Sequence, residues 1–398
     1  MTKFLINLGL VLTPFVVIPG IDVRDIKMTV ASLIASALGL SGLRDGMIKP
    51  LSNKWFYYFV FYAVSCYIFA PNPALCLLGM NVGYFWVWQP MFNFLVFALA
   101  IVVISSIEFT GEQLDKTLRI MTMCGFLMAC YVILQRLGID QFFDNVGADH
   151  LGRMAGFVGN PTHVSPFIGM LLPLALHQRK YLFAGIMSIA IVCTTSQVAI
   201  GSTIIGIALY YALRKKRDLF GLVLVGVLVI TTLSIMCKND TDFYLKLRGF
   251  AADNQRFMVY EQVIKDVNSK PFEHSNMRYP LTGWGMGNFK YTFHFAHADN
   301  ETFMRFHQVH NEYLEILYNI GIVGFVLFML MLYTFFKEKA IRFYNSELSD
   351  LERALLSGFV LICIVAFGTF AWQIGTLAFY SVVIVGLLNN KSIVGGVR

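Results

Sequence analysis

One segment of this 398-residue sequence begins with a residue that could accept a proton, and arginines earlier in the chain could hold a phosphate. His310 and Asn311 open a long apolar stretch, HNEYLEILYNIGIVG, at positions 310–324. An imidazole at the positive end of a helix has a lowered pKa and stays neutral at pH 7. His310 could therefore accept a proton, while the same helix end favours a phosphate nearby. The alternative is an interfacial His in front of an ordinary packing helix.

Two arginines are candidates for holding a phosphate, because a guanidinium can form two parallel hydrogen bonds to one. Arg256 lies in NQRFMVYEQVIKDV (254–267), whose apolar residues have helical spacing. Arg153 directly precedes MAGFVGNPTHVSPF, where a GNP turn containing Asn160 opens an apolar helix. The alternatives are a solvated surface position for Arg256 and an ordinary helix start after Arg153.

Further polar residues lie close to these positions. His163 follows the GNP turn and could line an outer cavity. Glu312 and Glu315 could orient substrate hydroxyls, or they could reach from the interface towards water. Gly321 and Gly324 are expected to share a helix face and to let a neighbouring helix approach closely.

Other sites of chemistry are not indicated. The sequence has no Walker A, HExxH or GxSxG motif, and its seven Cys show no metal-ligand spacing. We therefore predict no metal site and no cofactor.

Composition places the elements that carry these residues in a membrane. The chain is 57% hydrophobic and only 14% charged, whereas soluble domains average about 25% charged residues. This excludes a water-soluble globular protein, a disordered chain and a nucleic-acid binder. The net charge of +7 does not indicate a nucleic-acid partner. Lys and Arg concentrate in the cytoplasmic loops of membrane proteins, so their positions indicate how the chain is oriented in the membrane.

The apolar runs predict an all-α polytopic membrane protein with about 12 transmembrane helices. Residues 1–237 would hold spans 1–9, residues 238–309 one large outer loop, and residues 310–398 spans 10–12. Segment 72–90 is expected to be interfacial or re-entrant. The predicted spans are 4–20, 28–43, 55–71, 91–109, 117–137, 162–177, 181–196, 198–213, 219–237, 311–336, 352–370 and 372–388.

The distribution of Lys and Arg favours both termini inside, with the long loop outside. That loop, 238–309, carries 17 of the 55 charged residues and four of the eight His. A loop of this length in a compact protein is usually functional or disordered. We expect any chemistry where the outer loops meet the membrane.

One family shares these motifs. The pattern His-Asn, nine residues, Gly-x-x-Gly at 310–324 resembles the signature of bacterial O-antigen ligases. Their superfamily also contains O-antigen polymerases and some protein O-oligosaccharyltransferases. A GNPT turn at 159–162, a loop Arg before a helical stretch, and GWGMGNF at 283–289 agree with it. One departure is TTSQVAIG (194–201), which has Gln197 where the family often has Arg.

The resemblance implies a fold, a reaction and a location. The fold would be glycosyltransferase C-like, with one large periplasmic loop, in the bacterial inner membrane. The reaction would be a metal-independent, inverting transfer of a glycan from an undecaprenyl-pyrophosphate carrier to a lipid A–core hydroxyl, on the periplasmic side. A polymerase that uses a carrier-linked acceptor and a protein O-oligosaccharyltransferase are alternatives within the family. A lipid-linked sugar transporter is the alternative from another class.

The resemblance also implies roles for individual residues. His310 would be the catalytic base, and Arg256 would act with it by holding the pyrophosphate. Arg153 would hold the pyrophosphate together with Arg256. It would supply the positive charge that is missing at position 197, where this sequence has Gln197 in place of Arg. Asn311 would fix the imidazole or a substrate hydroxyl. Asn160 and Gln197 complete the predicted substrate-binding set.

Overall fold

The computed structural model describes residues 1–17, 23–68, 70, 73, 90–139, 154–213, 254–268, 279–289, 292–293 and 307–394. Within these ranges the chain forms helices and turns, with no strand. The helices are α1 (Thr2–Phe15), α2 (Val23–Arg44), α3 (Lys54–Ile68), α4 (Pro90–Ser106), α5 (Gly111–Arg136), α6 (Pro161–His177), α7 (Tyr181–Cys193), α8 (Gln197–Leu213), α9 (Asn254–Asn268), α10 (Tyr279–Thr282), α11 (Glu312–Tyr344), α12 (Asp350–Val365), α13 (Gly375–Leu388) and α14 (Lys391–Val394).

The all-helical fold agrees with the prediction from the apolar runs. Each predicted span except 219–237, which lies outside the described residues, coincides with a helix. In the described ranges, α2, α5 and α11 are long and apolar enough to cross a membrane. Five shorter helices, α1, α4, α7, α8 and α13, are also apolar. A total of twelve crossings stays a prediction.

Local sequence signals explain where several helices begin. Thr110 and Gln113 form reciprocal side-chain to backbone hydrogen bonds at the start of α5, and Ser349 and Glu352 do the same for α12. These capping boxes satisfy backbone N–H groups that have no partner inside the helix. Helix α6 begins with Asn160 as its cap, followed by a proline at the first helical position.

Helix α6 forms the centre of the helical bundle. Nearly all of its residues from Pro161 to Leu176 are buried, against α5, α7, α8 and α12. A helix that is apolar on every side has to be enclosed by other helices or by lipid. The first turn of α6 carries His163, so the packing of this helix places that imidazole inside the protein.

Lys27 links three helices at one end of the bundle. Its side chain is fully buried, and its Nζ donates to the carbonyl oxygens of Thr13, Pro14 and Val16 at 3.2, 2.6 and 3.0 Å. The hydroxyl of Thr376 on α13 donates to the Thr13 carbonyl oxygen at 2.8 Å. The ammonium thus satisfies carbonyls at the end of α1, where a helix has no internal donors.

Helix α11 is broken at Gly321. This residue has φ +69° and ψ −175°, a backbone conformation that is essentially restricted to glycine. Because the helical path is interrupted there, the carbonyl oxygens of Tyr318 and Asn319 accept hydrogen bonds from outside the helix. Their donors are the backbone N–H groups of Trp284 and Gly285, at 3.0 and 2.7 Å.

The break corrects one prediction from the sequence. Gly321 and Gly324 were expected to lie on one continuous helix face that receives a neighbouring helix, and this is wrong. Gly321 instead lets the GWG segment approach: a Cβ on Gly321 would lie 2.4 Å from the carbonyl oxygen of Leu281, and a Cβ on Gly283 would lie 2.4 Å from the Gly321 nitrogen. The GWGMGNF motif and the Gly-x-x-Gly motif therefore meet each other.

Candidate functional site

His310 lies immediately before α11 in a strained backbone conformation. Its φ is +58°, in the left-handed region that non-glycine residues seldom occupy. Its ring contacts Phe370 edge to face, with the ring centroids 4.9 Å apart. Phe370 also contacts the ring of His163 at 5.2 Å, and both Phe370 and His163 are buried. One phenyl ring thus separates two imidazoles that are 147 positions apart in the sequence.

Helix α9 holds Arg256 and Tyr260 against the loops around His310. The hydroxyl of Tyr260 donates to the backbone oxygen of His310 at 2.9 Å. One helical turn earlier, Nη1 of Arg256 donates to the backbone oxygen of Gly368 at 3.1 Å. Gly368 lies two residues before Phe370. The two contacts therefore attach one helix both to the segment that carries His310 and to the segment whose Phe370 contacts the His310 ring.

An aromatic cluster fixes α9 in this position. Val259, Val263 and Val267 form its buried face. They pack against residues from the GWGMGNF segment and just after it, and from the start of α11 and just before it. These residues are Trp284, Phe289, Phe293, Val309 and Tyr318. Since the same cluster contains Val309, the residue before His310, packing and hydrogen bonding position α9 and His310 together.

The environment of His310 disfavours its protonated form. Burial, together with the smaller effects of the positive charges of Arg256, Arg24 and His307, lowers the pKa of the imidazole to about 4. The position of His310 at a helix terminus also predicts a lowered pKa. The pKa is lowered in both accounts, but the main cause of the shift is burial. At pH 7 the imidazole is neutral and can accept a proton.

This pKa predicts the acid limb of a pH–rate profile. If the glycan transfer that the resemblance implies needs a neutral His310, its rate should hold down to about pH 5 and fall as the pH drops through about 4, because the imidazole then becomes protonated. An unperturbed His would lose half its activity near pH 6.5 instead. Initial rates in buffers between about pH 3.5 and 8 check this. A half-maximal rate close to pH 6.5 would contradict it.

The first turn of α11 carries a cap and two buried carboxyl groups. The amide oxygen of Asn311 accepts from the backbone N–H groups of Tyr313 and Leu314 at 3.1 and 3.2 Å. Glu312 accepts from the backbone N–H of Trp372 at 2.8 Å and from Nε2 of Gln373 at 3.1 Å. Glu315 accepts from the backbone N–H of Val309 at 3.2 Å. The two carboxyl groups therefore brace both loops beside His310.

The remaining predicted site residues fall in three different settings. Asn160 caps α6, with its amide oxygen accepting from the backbone N–H of Thr162 at 2.8 Å. Gln197 begins α8; the next residue, Val198, lies against Gly368, the partner of Arg256. Arg153 lies outside the described residues. The structure thus brings His310, Asn311 and Arg256 together, with Gln197 close to the Arg256 contact.

Three residues of this site did not stand out in the sequence. Tyr260 lies four positions after Arg256 on a predicted helix, and this spacing could have identified it as a neighbour of Arg256. Arg24 lowers the pKa of His310 although it belongs to α2. Phe370 carries no local signal, because its role depends on contacts with residues far away in the chain. Among the described residues, no group of His, Cys, Asp and Glu is arranged to hold a metal ion.

The arrangement indicates the class of protein: an all-helical protein with apolar helices long enough to cross a membrane, in which α9 bonds to the loops around a buried histidine. Residues 182–329 match the family model described as O-antigen ligase, and this confirms the resemblance to the O-antigen ligase and polymerase superfamily. The matched part contains Gln197, Arg256, His310 and Asn311 and runs from the start of α7 into α11. No curated protein sequence matches the chain. The match supports a glycosyltransferase-like enzyme acting on lipid-linked glycans in a bilayer.

Proposed function

We propose that this protein is an O-antigen ligase-type glycosyltransferase of the bacterial inner membrane. It would move a glycan from an undecaprenyl-pyrophosphate carrier to a sugar hydroxyl of lipid A–core on the periplasmic side. The observation that carries the proposal is the joint placement of His310 and Arg256 by α9, through the Tyr260 and Arg256 hydrogen bonds to the two surrounding loops. The match to the O-antigen ligase family model supports the same reaction class.

In the proposed reaction, the acceptor hydroxyl attacks the anomeric carbon of the carrier-linked sugar. The hydroxyl proton passes to the neutral imidazole of His310 as the new carbon–oxygen bond forms. The bond between the anomeric carbon and the pyrophosphate oxygen breaks, and its electron pair leaves with the pyrophosphate. Attack opposite to the leaving group inverts the anomeric configuration. A positioned base of this kind contributes about 10²–10⁴-fold to the rate.

Arg256 would stabilise the charge that develops on the departing pyrophosphate. A charge-assisted hydrogen bond from a guanidinium is about twice as strong as a neutral one, and its value rises when the donor is already oriented. The hydrogen bond to Gly368 provides that orientation. Arg153 and Gln197 are proposed to contact the same group, and Asn160 and Asn311 the sugar.

A lipopolysaccharide gel tests the proposal. The gene is expressed in a ligase-null host that makes a matching carrier-linked O-antigen, beside the variants Arg256→Ala and Lys265→Ala. Lys265 lies on the same helix, paired with Glu261 at 2.7 Å on the exposed side. We expect a ladder of long chains with the unaltered protein and with Lys265→Ala, and none with Arg256→Ala. A ladder of full intensity with Arg256→Ala would contradict the role of that residue.

The polymerase is the competing function, because the matched family covers both reactions of the superfamily in general. It shares the donor chemistry and differs in its acceptor, which would be a second carrier-linked repeat unit. If no ladder forms in the ligase-null host although the protein is made, the same gene is moved to a polymerase-null host. Conversion of single-repeat bands into a ladder there would establish the polymerase.

Metal independence is tested with the purified protein in a transfer assay containing a chelator. We expect the rate to be unchanged, because the positive charge of Arg256 would stabilise the pyrophosphate without a metal ion. Complete loss of transfer, restored by one divalent ion, would contradict this part of the proposal.

Tyr260→Phe tests the positioning of His310. The change removes only the hydroxyl that donates to the His310 backbone oxygen, and a hydrogen bond contributes about 0.5–1.5 kcal/mol net. We expect kcat to fall about 3- to 10-fold with little change in KM, because the imidazole would lose its fixed orientation. Tyr344→Phe, at the exposed end of α11, is the matched control. An unchanged kcat in Tyr260→Phe would show that the aromatic cluster alone fixes His310.

A further inference from the structure

An elongated cavity of about 300 Å³ lies beside the site, between helices α3 and α11 on one side and α4 and α13 on the other. Its volume is at the lower end of the range for ligand pockets. Along α4 it extends from Pro90 to Ile101, a length of about 17 Å at the helical rise. The shape suits one extended chain rather than a compact ring or a sugar.

The walls of the cavity are almost entirely apolar. They are formed mainly by aromatic and aliphatic side chains from these four helices. Among them are Phe56, Phe59, Phe94, Phe97, Phe328 and Phe335. Burying apolar surface in such walls is favourable in proportion to the area removed from water. The long part of the cavity therefore favours a hydrocarbon chain.

Beside the start of α11, the lining of the cavity carries several hydrogen-bond acceptors. The carboxyl groups of Glu312 and Glu315 lie there, together with Gln373 and Asn319. The side-chain oxygens of Gln373 and Asn319 are buried and have no hydrogen-bond partner among the described residues. Asn319 itself is 7% exposed. A buried acceptor without a donor is unfavourable by about 1–3 kcal/mol, so this end favours a ligand that brings donors.

The two carboxyl groups also lack a counter-ion. Both side chains are 4% exposed, and in the described part of the chain no Lys or Arg forms an ion pair with either. Burial of a carboxylate is unfavourable unless a positive charge or hydrogen bonds compensate it. A phosphate at this end would add negative charge beside the two carboxyl groups. The pyrophosphate of the proposed donor is therefore expected beside Arg256 rather than at this end.

We infer that this cavity binds an aminolipid, as a single apolar chain that ends in a primary ammonium group, with the ammonium beside Glu312, Glu315, Asn319 and Gln373. A primary ammonium carries three donors, no acceptor and one positive charge, and so complements a set of acceptors with unbalanced carboxyl groups. Three cavity-lining helices, α4, α11 and α13, are apolar, so a ligand with an apolar chain matches the surroundings of the cavity. The inference concerns binding and does not depend on the transfer reaction.

Native mass spectrometry of the full chain tests this with four probes that share one decyl chain. Decylammonium has the charge and the N–H donors, decyltrimethylammonium has the charge alone, decanol has one donor, and decyl phosphate is an anion. We expect decylammonium to be retained at least about tenfold more than each of the others, because charge-assisted hydrogen bonds are the stronger kind. Equal retention of the four probes would overturn the inference, as would a preference for decanol.

Variants test whether the preference for decylammonium arises in this cavity. In the double variant Glu312→Gln and Glu315→Gln, the preference for decylammonium should disappear, while Glu261→Gln on the exposed face of α9 should keep it. Val60→Trp fills part of the cavity wall and should reduce the retention of all four probes. If the double variant does not fold, Glu315→Gln alone should lower the preference about threefold. A preference that survives the carboxyl substitutions would overturn the inference, whatever the outcome of the ligase assay.

Discussion

Replacing His310 with Ala should lower the rate of glycan transfer by about 10²–10⁴-fold, the usual contribution of a positioned general base. The imidazole is neutral because burial and three nearby positive charges hold its pKa at about 4. It is also held in a left-handed backbone conformation, which is unfavourable by about 1–3 kcal/mol and persists only where the surroundings fix it. Single-turnover rates of the purified protein with a carrier-linked glycan measure the effect.

Two further variants make the His310 result specific. His310→Gln retains a polar side chain of similar size but cannot take up the proton, so it should be impaired as strongly as His310→Ala. His177→Ala, at the far end of α6, should transfer within about twofold of the unaltered protein. If His310→Gln keeps a rate within about threefold of normal, the side chain binds substrate and another group removes the proton.

Gly321→Ala should destabilise the protein and abolish transfer. The new methyl group would lie 2.4 Å from the carbonyl oxygen of Leu281, and alanine does not adopt the backbone angles found there without strain. Either α11 straightens, which removes the acceptors for Trp284 and Gly285, or the GWG segment moves away. Both changes disturb the aromatic cluster that holds α9, and with it Arg256. We expect the free energy of unfolding to fall by at least about 2–3 kcal/mol.

Gly201→Ala is the matched control for that change. A Cβ on Gly201 would meet no atom within 4 Å, and the residue lies within α8. Alanine favours the helix by about 0.5–1 kcal/mol over glycine, so this variant should be as stable as the unaltered protein or slightly more stable. Thermal unfolding of the detergent-solubilised variants gives the comparison. Equal unfolding temperatures for Gly321→Ala and Gly201→Ala would show that α11 tolerates a continuous helix.

Helix positions and the main site candidates could be predicted because their signals are local. An apolar run long enough to be buried or to face lipid marks a helix wherever it occurs. The caps at Asn160 and Ser349 are likewise read from neighbouring residues. His310 and Arg256 were identified in the same way, from a helix start and from an amphipathic stretch. Neither signal depends on any other part of the chain.

The sequence by itself thus determined an all-helical chain for a membrane, the motif that contains His310, and the helix that contains Arg256. Only the tertiary structure decided that Gly321 breaks α11, that the GWG segment occupies the break, and that Phe370 lies between His163 and His310. These features depend on contacts between segments far apart in the chain, and on backbone angles that become favourable only when those contacts form. For the same reason, the acceptor-rich end of the cavity became visible only after four helices had packed around it.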